Sequence, residues 1–200
     1  MLCAELEHEE KSLPSIRHIY LSGDWIKPDL VQQIPLKTPH GTLIAMGGAT
    51  EGGIWSNYFK VTDDTVHKYP SIPYGFPLPN QQYRVVNERG EDCPNQVAGE
   101  LWIGGNSIAK GYKGNSQQTN NQFISIDGQR WYRTGDYGKY VDDGVLLFLG
   151  RKDEQVKVNG HRIELGEIER SLKNKSCIKD VVVLATKQKK RKSASCFYHS

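Results

Sequence analysis

The amino-acid sequence predicts a chain of α/β plus β class that ends in a short α+β segment. Three observations support this prediction. Two apolar runs flank a helical pattern in the first third of the chain, apolar stretches shorten to strand length from about residue 70, and a charged hairpin pattern follows Arg151. We therefore divide the chain into an α/β part at 1–69, a β module at 70–151 and an α+β part with a basic tail at 152–200.

The first part carries the pattern of a strand–helix–strand crossover. The apolar run Ile16–Leu21 is typical of a buried parallel strand, residues 28–34 have the spacing of a short helix, and GTLIAM at 41–46 predicts a second buried strand. This order predicts two parallel strands in one sheet. The glycine-rich stretch GGATEGG at 47–53 follows the second strand, at the edge where α/β sheets bind ligands.

The β module is predicted from short apolar stretches separated by proline and glycine. QYRVVN, GELWIGG and GVLLFLG have strand length, and NERGEDCPNQVAGE between the first two is typical of a turn that joins antiparallel strands. The Asp-Asp-Gly sequence at 142–144 predicts a β-hairpin between the segments on either side. The polar connection SIAKGYKGNSQQTNNQF is expected to contain a short helix.

The last part begins with a charged hairpin pattern. Asn159 and Gly160 form a turn signal inside QVKVNGHRIEL, GEIERSLKN predicts a helix, and KDVVVLAT predicts a strand. The basic run KQKKRK at 187–192 is expected to be a solvated tail or loop. Five of the 26 basic residues lie in this run, and the rest of the chain has 21 basic against 23 acidic residues, so the basic character is local.

Composition argues against several classes of protein. The apolar runs are much shorter than the ~20 residues of a membrane-spanning helix. The acidic N-terminus MLCAELEHEEKSL does not resemble a secretory signal, so we expect a cytoplasmic protein with no membrane partner. The four cysteines show no metal-ligand spacing and are expected to be reduced thiols. Trp25, Trp55, Trp102 and Trp131 are expected to lie in the core.

The stretch GGATE at 47–51 is the first candidate for chemistry. Glycines at the end of a strand allow the backbone to approach a flat ring or a phosphate closely. The following Thr-Glu pair offers a hydroxyl and a hard oxygen ligand for Mg²⁺. A glycine turn before a helix is also common without any such role, so both interpretations stay open on this stretch alone.

The stretch YRTGD at 132–136 is the second candidate. An aspartate at the end of a turn is most often a cap or a solvated carboxylate. The functional alternative is that Asp136 accepts hydrogen bonds from two vicinal hydroxyls, which is how proteins grip a ribose. The combination of YRTGD with GRKDEQVKVNG at 150–160 is much more specific than either stretch alone.

YRTGD followed by GRKDEQVKVNG resembles the adenylate-forming enzymes, and is most similar to the amino-acid-activating adenylation domains of nonribosomal peptide synthetases. The resemblance covers residues 13–186, and GGATEGGIWSN within it resembles the subgroup found beside heterocyclisation domains. It implies the later part of the large lobe, with an α/β unit and a distorted β-barrel, followed by a truncated small lobe. No Ser/Thr/Gly-rich phosphate loop precedes residue 16 and no position matches the late catalytic lysine, so we expect an internal fragment.

The resemblance implies a nucleotide-binding role for the GGATE stretch and for two further residues. The glycines and the alanine would line the adenine pocket, the threonine would contact the α-phosphate, and the glutamate would hold Mg²⁺. The family pattern Tyr-Gly-Pro-Thr-Glu begins with glycine here, so an aromatic stack on adenine is lost at that position. The residues are Gly47, Gly48, Ala49, Thr50 and Glu51, with Asp136 and Arg151 as the two ribose contacts.

The resemblance also implies residues for transfer and for substrate choice. Asp153 would be the hinge on which the small lobe rotates, and the hairpin with Lys157 and Gly160 would enter the active site for the second half-reaction. The pattern of pocket residues resembles that of cysteine-activating domains, with another small or hydroxylated amino acid or an aryl acid as alternatives. These pocket residues are Tyr20, Ser22, Met46, Ile54 and Trp55.

The implied activity is ATP-dependent formation of an acyl adenylate, followed by transfer of the acyl group to the thiol of a phosphopantetheine carrier. ATP or AMP, Mg²⁺ and the phosphopantetheine of a partner carrier domain would be the cofactors. An amino acid and the condensation or heterocyclisation domains of the same assembly line would be the partners. A non-catalytic remnant that binds a nucleotide or a protein is the alternative, and nucleic-acid binding through the basic run has the weakest support.

Overall fold

The computed structural model describes the chain at residues 12–23, 25–26, 28–151, 155–158, 161–173, 178, 180–188 and 191–199. These residues belong to two compact units, Met1–Gly150 and Arg151–Ser200. The three-part division made from the sequence stays a prediction. Among the described residues, no helix has the length and apolar character needed to cross a membrane.

A four-stranded sheet opens the first unit. Strands β1 and β2 run parallel and are joined by helix α1, which confirms the predicted crossover. The next two strands pair antiparallel, β3 with β2 and β4 with β3. The elements are β1 (His18–Leu21), α1 (Pro28–Lys37), β2 (Thr42–Gly47), β3 (Asn57–Val61), α2 (Thr65–Lys68) and β4 (Phe76–Pro77), with the strands in the spatial order β1-β2-β3-β4.

One face of this sheet is covered by α1. Val31 and Ile34 of α1 pack with Leu43 and Ala45 of β2 in one buried cluster. Within the part of the chain that the structure describes, β1 lies at the edge of the sheet and alternates between exposed and half-buried residues, with Tyr20 57% exposed. The prediction that the first strand is buried is therefore wrong, because an edge strand has a neighbouring strand on one side only.

A five-stranded antiparallel sheet forms the rest of the first unit, and it confirms the predicted β module. Its strands follow the order β5-β6-β8-β7, and β9 pairs with β8 to complete the predicted hairpin around the Asp-Asp-Gly turn. A short helix, α3, lies in the polar connection as expected. The elements are β5 (Gln81–Val86), β6 (Gly99–Gly105), α3 (Ser116–Gln122), β7 (Phe123–Ile126), β8 (Gln129–Tyr140) and β9 (Leu146–Arg151).

Alternation along the strands divides this second sheet into two packed faces. Leu101 and Ile103 of β6 point into the main cluster together with Tyr132 of β8. Trp102 points to the opposite face, where it packs with Trp131 and the two indoles are 5% and 7% exposed. Both were expected in the core, and the structure confirms this. Trp25 and Trp55 are 46% and 44% exposed, so the same expectation is wrong for them.

The two sheets of the first unit are joined by a backbone bridge. The Gly75 amide donates to the Leu146 carbonyl at 3.0 Å, and the Leu146 amide donates back to the Gly75 carbonyl at 2.9 Å. Gly75 has a φ of +77°, and a Cβ there would overlap with the carbonyl of Tyr58. This close backbone contact requires glycine and fixes the segment that precedes β4.

The second unit contains two strand pairs and a helix. The hairpin of β10 and β11, the helix α4 and the strand β12 are all confirmed, although the predicted Asn159–Gly160 turn lies outside the described residues. The basic run was expected to be a tail or loop, and this is wrong. Lys187 and Gln188 end β12, Arg191 and Lys192 begin β13, and the two strands pair antiparallel. The elements are β10 (Gln155–Val158), β11 (His161–Glu164), α4 (Leu165–Lys173), β12 (Asp180–Gln188) and β13 (Arg191–His199).

Candidate functional site

The GGATEGG stretch forms a tight loop at the carboxyl end of β2. A single 3₁₀ turn spans Thr50–Gly52, and the Ala49 carbonyl accepts from the amides of Gly52 and Ile54 at 2.9 and 3.1 Å. Gly48 has a φ of +145°, and a Cβ there would lie 2.6 Å from Ser56 Oγ. The first part of the loop therefore depends on glycine for both its conformation and its packing.

The loop is tied to the second sheet by hydrogen bonds to its backbone. Gln81 of β5 donates through Nε2 to the carbonyls of Gly52 and Trp55 at 3.2 and 3.0 Å. Ser107 Oγ donates to the Gly52 carbonyl at 2.8 Å. The Ala109 amide donates to the Glu51 carbonyl, also at 2.8 Å. Both sheets of the first unit therefore hold the loop in place.

Glu51 carries a buried carboxylate at the centre of this loop. The residue is 8% exposed, and its Oε1 accepts a hydrogen bond from the Tyr112 hydroxyl at 2.7 Å. Burial raises the pKa of the Tyr112 phenol far above its usual value, and the hydrogen bond to Glu51 raises it further. Tyr112 therefore stays protonated and acts as a fixed donor to Glu51.

Asp136 lies in a β-bulge of β8. Glu100 pairs with Tyr137 and Trp102 pairs with Arg133, so the residues Thr134, Gly135 and Asp136 lie opposite the single residue Leu101. The Thr134 hydroxyl donates to the Leu101 carbonyl at 2.6 Å and accepts from the Asp136 amide at 2.9 Å. The bulge takes Asp136 out of the regular ladder of β8 and leaves it half-buried.

Tyr83 belongs to a buried hydrogen-bond network at the end of the loop. Its hydroxyl, on β5, forms hydrogen bonds with the side chains of Ser56 and Asn57, directly after the loop. Burial raises the pKa of the Tyr83 phenol, and the nearby negative charge of Asp136 raises it further, although the two hydrogen bonds oppose this shift. The charge of Asp136 therefore acts on the same buried network that holds the end of the loop.

The predicted substrate pocket has two of its members in direct contact. Trp55 donates through Nε1 to Ser22 Oγ at 3.0 Å, which joins the loop to the end of β1. Tyr20 pairs with Ile44 in the parallel ladder, so Tyr20 and Met46 share the face of the sheet that α1 does not cover. Ile54 has a φ of +76° and is 65% exposed, an uncommon state for a β-branched residue.

The remaining predicted residues belong to the second unit, and two of them lie outside the described residues. Arg151 is half-buried at the end of β9, at the start of the second unit. Lys157 belongs to β10, where its backbone pairs with Arg162. Asp153 and Gly160 lie outside the described residues.

Sequence reasoning missed the tyrosines that organise this site. Tyr112 belongs to the polar connection that was expected only to contain a short helix, and Tyr83 belongs to a predicted strand to which no site role was given. A polar hydroxyl in an otherwise apolar strand is a weak signal, because tyrosine is also common in strands. Among the described residues, no three His, Cys, Asp or Glu side chains come together as a metal cluster.

Comparison with known proteins agrees with this arrangement. Residues 1–113 match the family described as AMP-binding enzyme. The chain belongs to this family, and within it to the adenylation domains of nonribosomal peptide synthetases. The resemblance and the fold class stated from the sequence are thereby confirmed.

Three individual proteins illustrate the relationship. The chain is 54% identical over 180 residues to the anguibactin system regulator of Vibrio anguillarum, which covers 90% of this chain and 17% of the relative. The adenylation domain AlmE of Vibrio cholerae, solved with glycyl-adenosine-5'-phosphate, is 28% identical with a TM-score of 0.85, covering 98% of this chain and 39% of AlmE. PA1221, a nonribosomal peptide synthetase protein with adenylation and PCP domains, is 29% identical with a TM-score of 0.80, covering 91% of this chain and 38% of PA1221. The chain thus spans less than a fifth of the length of its curated relative.

Proposed function

We propose that this chain is part of a domain that activates an amino acid with ATP and passes it to a carrier thiol. The observation that carries the proposal is that the first unit holds both a glycine-rich loop tied to the second sheet and, in the bulge of β8, Asp136, whose charge raises the pKa of Tyr83 beside the loop. A loop open to close approach and an acceptor for vicinal hydroxyls are the two features that a bound adenylate requires. The AlmE structure, which holds an aminoacyl adenylate, supports the same assignment.

The nucleotide contacts follow from the chemistry of each group. The backbone of Gly47, Gly48 and Ala49 would lie against the adenine ring, where the absence of large side chains allows close approach. Thr50 would donate its hydroxyl to the α-phosphate. Asp136 would accept hydrogen bonds from both ribose hydroxyls, with Arg151 as the second ribose contact.

The donor set near the loop fits one Mg²⁺ ion held mainly by the nucleotide. Mg²⁺ commonly uses one or two protein carboxylates and takes its other ligands from phosphates and water. Glu51 supplies one carboxylate, which the Tyr112 hydrogen bond orients. Bound Mg²⁺ would neutralise charge on the phosphates during transfer.

The first reaction is attack of a substrate carboxylate on the α-phosphate of ATP. A bond forms between a carboxylate oxygen and the α-phosphorus, the bond to the bridging oxygen breaks, and pyrophosphate leaves. Positioning and charge neutralisation supply most of the catalysis in such transfers. The residues of this chain would hold the base, the ribose and the metal in place.

The second reaction is transfer of the acyl group to a phosphopantetheine thiol. The thiol sulfur bonds to the acyl carbon, AMP leaves, and the thiol proton is released. Lys157 and Gly160 would belong to the hairpin that lines the active site in this step, and Asp153 would be the hinge. The carrier domain of PA1221 supports a carrier as partner.

The substrate is inferred from the residues that follow β1 and β2. Ser22 and Trp55, joined by a hydrogen bond, would form one wall of the pocket, beside Met46. Cysteine is the favoured amino acid, with another small or hydroxylated amino acid or an aryl acid as alternatives. A condensation or heterocyclisation domain would then use the activated residue.

Nucleotide binding by the 200-residue chain provides the first test. We expect calorimetry to detect AMP binding, and we expect Asp136→Ala to weaken it by roughly 10-fold or more, the effect of losing a charge-assisted acceptor. Asp142→Ala is the matched control, because Asp142 is an exposed carboxylate in the turn between β8 and β9. Its affinity for AMP should match that of the wild type.

Amino-acid-dependent exchange of pyrophosphate into ATP then separates the two candidate functions. Exchange with one amino acid, lost in Asp136→Ala, would support activation by this chain itself. AMP binding without exchange would favour the binding remnant. Absence of AMP binding by folded wild-type protein would overturn both.

A further inference from the structure

Gly47 and Tyr74 share one small volume beside the glycine-rich loop. A Cβ on Gly47 would lie 3.0 Å from Cε1 and 3.1 Å from Cζ of the Tyr74 ring. Both separations are shorter than an ordinary carbon–carbon contact of about 3.5–4.0 Å. The Tyr74 ring therefore occupies the space that any larger side chain at position 47 would enter.

The Tyr74 ring is held in a fixed orientation. It stacks on Phe148 of β9 with ring centroids 4.9 Å apart and an interplanar angle of 7°. Phe148 is in turn packed against Trp25 at 5.0 Å. The backbone beside Tyr74 is fixed as well, because the amide and the carbonyl of Gly75 are both hydrogen-bonded to the backbone of Leu146. An aromatic ring positioned in this way offers a flat surface at low entropic cost.

The same ring also borders the part of the loop assigned to adenine. Tyr74 and Ala49 both pack against the cluster that contains Tyr83 and Ile103. Tyr74 is half-buried, so part of its surface is accessible. The loop itself offers only glycine, glycine and alanine at 47–49, none of which has an aromatic side chain.

We propose that Tyr74 supplies the aromatic surface for the purine base that position 47 lacks. This inference rests on the proposed adenylate-binding function. The ring reaches the loop from the segment before β4 instead of from β2, and glycine at position 47 is what makes room for it. Tyr74 is thus a positioning residue for the nucleotide, and its role depends on the absence of a side chain at Gly47.

The test compares two ligands that differ only in the base. Tyr74→Leu is expected to weaken AMP binding by about 10-fold, the scale of one base–aromatic stack. Binding of ribose 5-phosphate, which lacks the base, should be unchanged. A variant that merely misfolds would lose affinity for both ligands. Tyr74→Phe, which keeps the ring, should bind AMP within about threefold of the wild type.

A reciprocal exchange sharpens the test. Gly47→Tyr alone should weaken AMP binding, because the new side chain collides with Tyr74. The double variant Gly47→Tyr/Tyr74→Ile removes the collision and returns a ring to the site, so its affinity for AMP should recover to within about threefold of the wild type. Tyr69→Leu is the control, since Tyr69 is a half-buried tyrosine with an aromatic neighbour in a different cluster.

The outcomes distinguish this inference from the proposed function. Equal affinity of Tyr74→Leu and wild type for AMP would overturn the inference and leave the proposed function intact. An equal loss for AMP and ribose 5-phosphate would assign Tyr74 a structural role and also overturn it. Failure of the folded wild-type chain to bind AMP would overturn the proposed function and the inference with it.

Discussion

Glu51 depends on a donor that is distant in sequence. The Tyr112 hydroxyl reaches its carboxylate across 61 residues of chain, from the connection between β6 and α3. The carboxylate belongs to a residue that is 8% exposed, so water replaces a lost donor poorly. One hydroxyl therefore serves both the stability of the loop and the orientation of the proposed metal ligand.

Removal of this hydroxyl should be measurable in stability. Tyr112→Phe is expected to lower the free energy of unfolding by about 1–3 kcal/mol, because a buried carboxylate loses a hydrogen-bond donor. Urea titration at pH 7 would measure the change. Tyr58→Phe is the control, since Tyr58 is 40% exposed on β3, and it should change the value by less than about 0.5 kcal/mol. Equal losses in both variants would contradict the role given to Tyr112.

Single residues also show where sequence reasoning succeeds. Gly48 and Glu51 were identified because their residue types carry chemistry within a short stretch. Tyr112 and Tyr74 were not, because each acquires its role from a contact that folding creates across a long distance in the chain. The loss of an aromatic residue at Gly47 was visible in the sequence, but the ring beside it was not.

At the scale of secondary-structure elements, the bulge in β8 takes Asp136 out of the hydrogen-bonded ladder in which a regular strand would keep it. The three residues Thr134–Asp136 lie opposite one residue of β6, and Gly135 has a φ of +72°. The Thr134 hydroxyl closes the bulge by bonding to the Leu101 carbonyl and the Asp136 amide. The YRTGD motif is thus the sequence of a bulge, whose geometry is supplied by the Thr134 hydroxyl and by the positive φ of Gly135.

Thr134→Val should open this bulge, because it removes the hydroxyl that closes the bulge while it keeps the size and shape of the side chain. We expect the free energy of unfolding to fall by about 1–3 kcal/mol, because the Leu101 carbonyl and the Asp136 amide both lose their hydrogen bond to the buried hydroxyl. AMP binding should weaken as well, since Asp136 loses the bond that fixes its backbone. Thr134→Ser keeps the hydroxyl and should retain most of both properties. A fully stable Thr134→Val variant with wild-type affinity for AMP would refute this account.

Two strands that the sequence did not predict, β3 and β13, have a common feature. β3, with the sequence NYFKV, alternates too weakly for the pattern to be recognised, and it is stabilised by pairing with both β2 and β4. β13 begins in the basic run and is specified by its pairing with β12. Both are examples of tertiary context overriding local preference.

At the scale of the whole first unit, stability and site geometry rest on the same buried tyrosines. Tyr83 links the end of the loop to the second sheet, and Tyr112 links the loop to the connection after β6. Burial raises the pKa of both phenols and also that of Tyr140, whose hydroxyl donates to the Tyr83 carbonyl at 3.1 Å. The folded unit therefore resists ionisation of groups that ionise readily once the chain unfolds.

The raised pKa values of these phenols make the free energy of unfolding depend on pH in the alkaline range. A tyrosine in an unfolded chain ionises at about pH 10, whereas these folded phenols require a higher pH. Their contribution to stability is complete below about pH 10 and is lost as the pH rises further, because the unfolded state then releases protons that the folded state retains. We expect urea titrations at pH 8–11 to show a constant free energy of unfolding up to about pH 9.5 and a steep fall beyond. Tyr83→Phe should start lower but fall less steeply, since one raised phenol is gone. Parallel curves for the variant and the wild type would show that the buried Tyr83 phenol does not control alkaline unfolding.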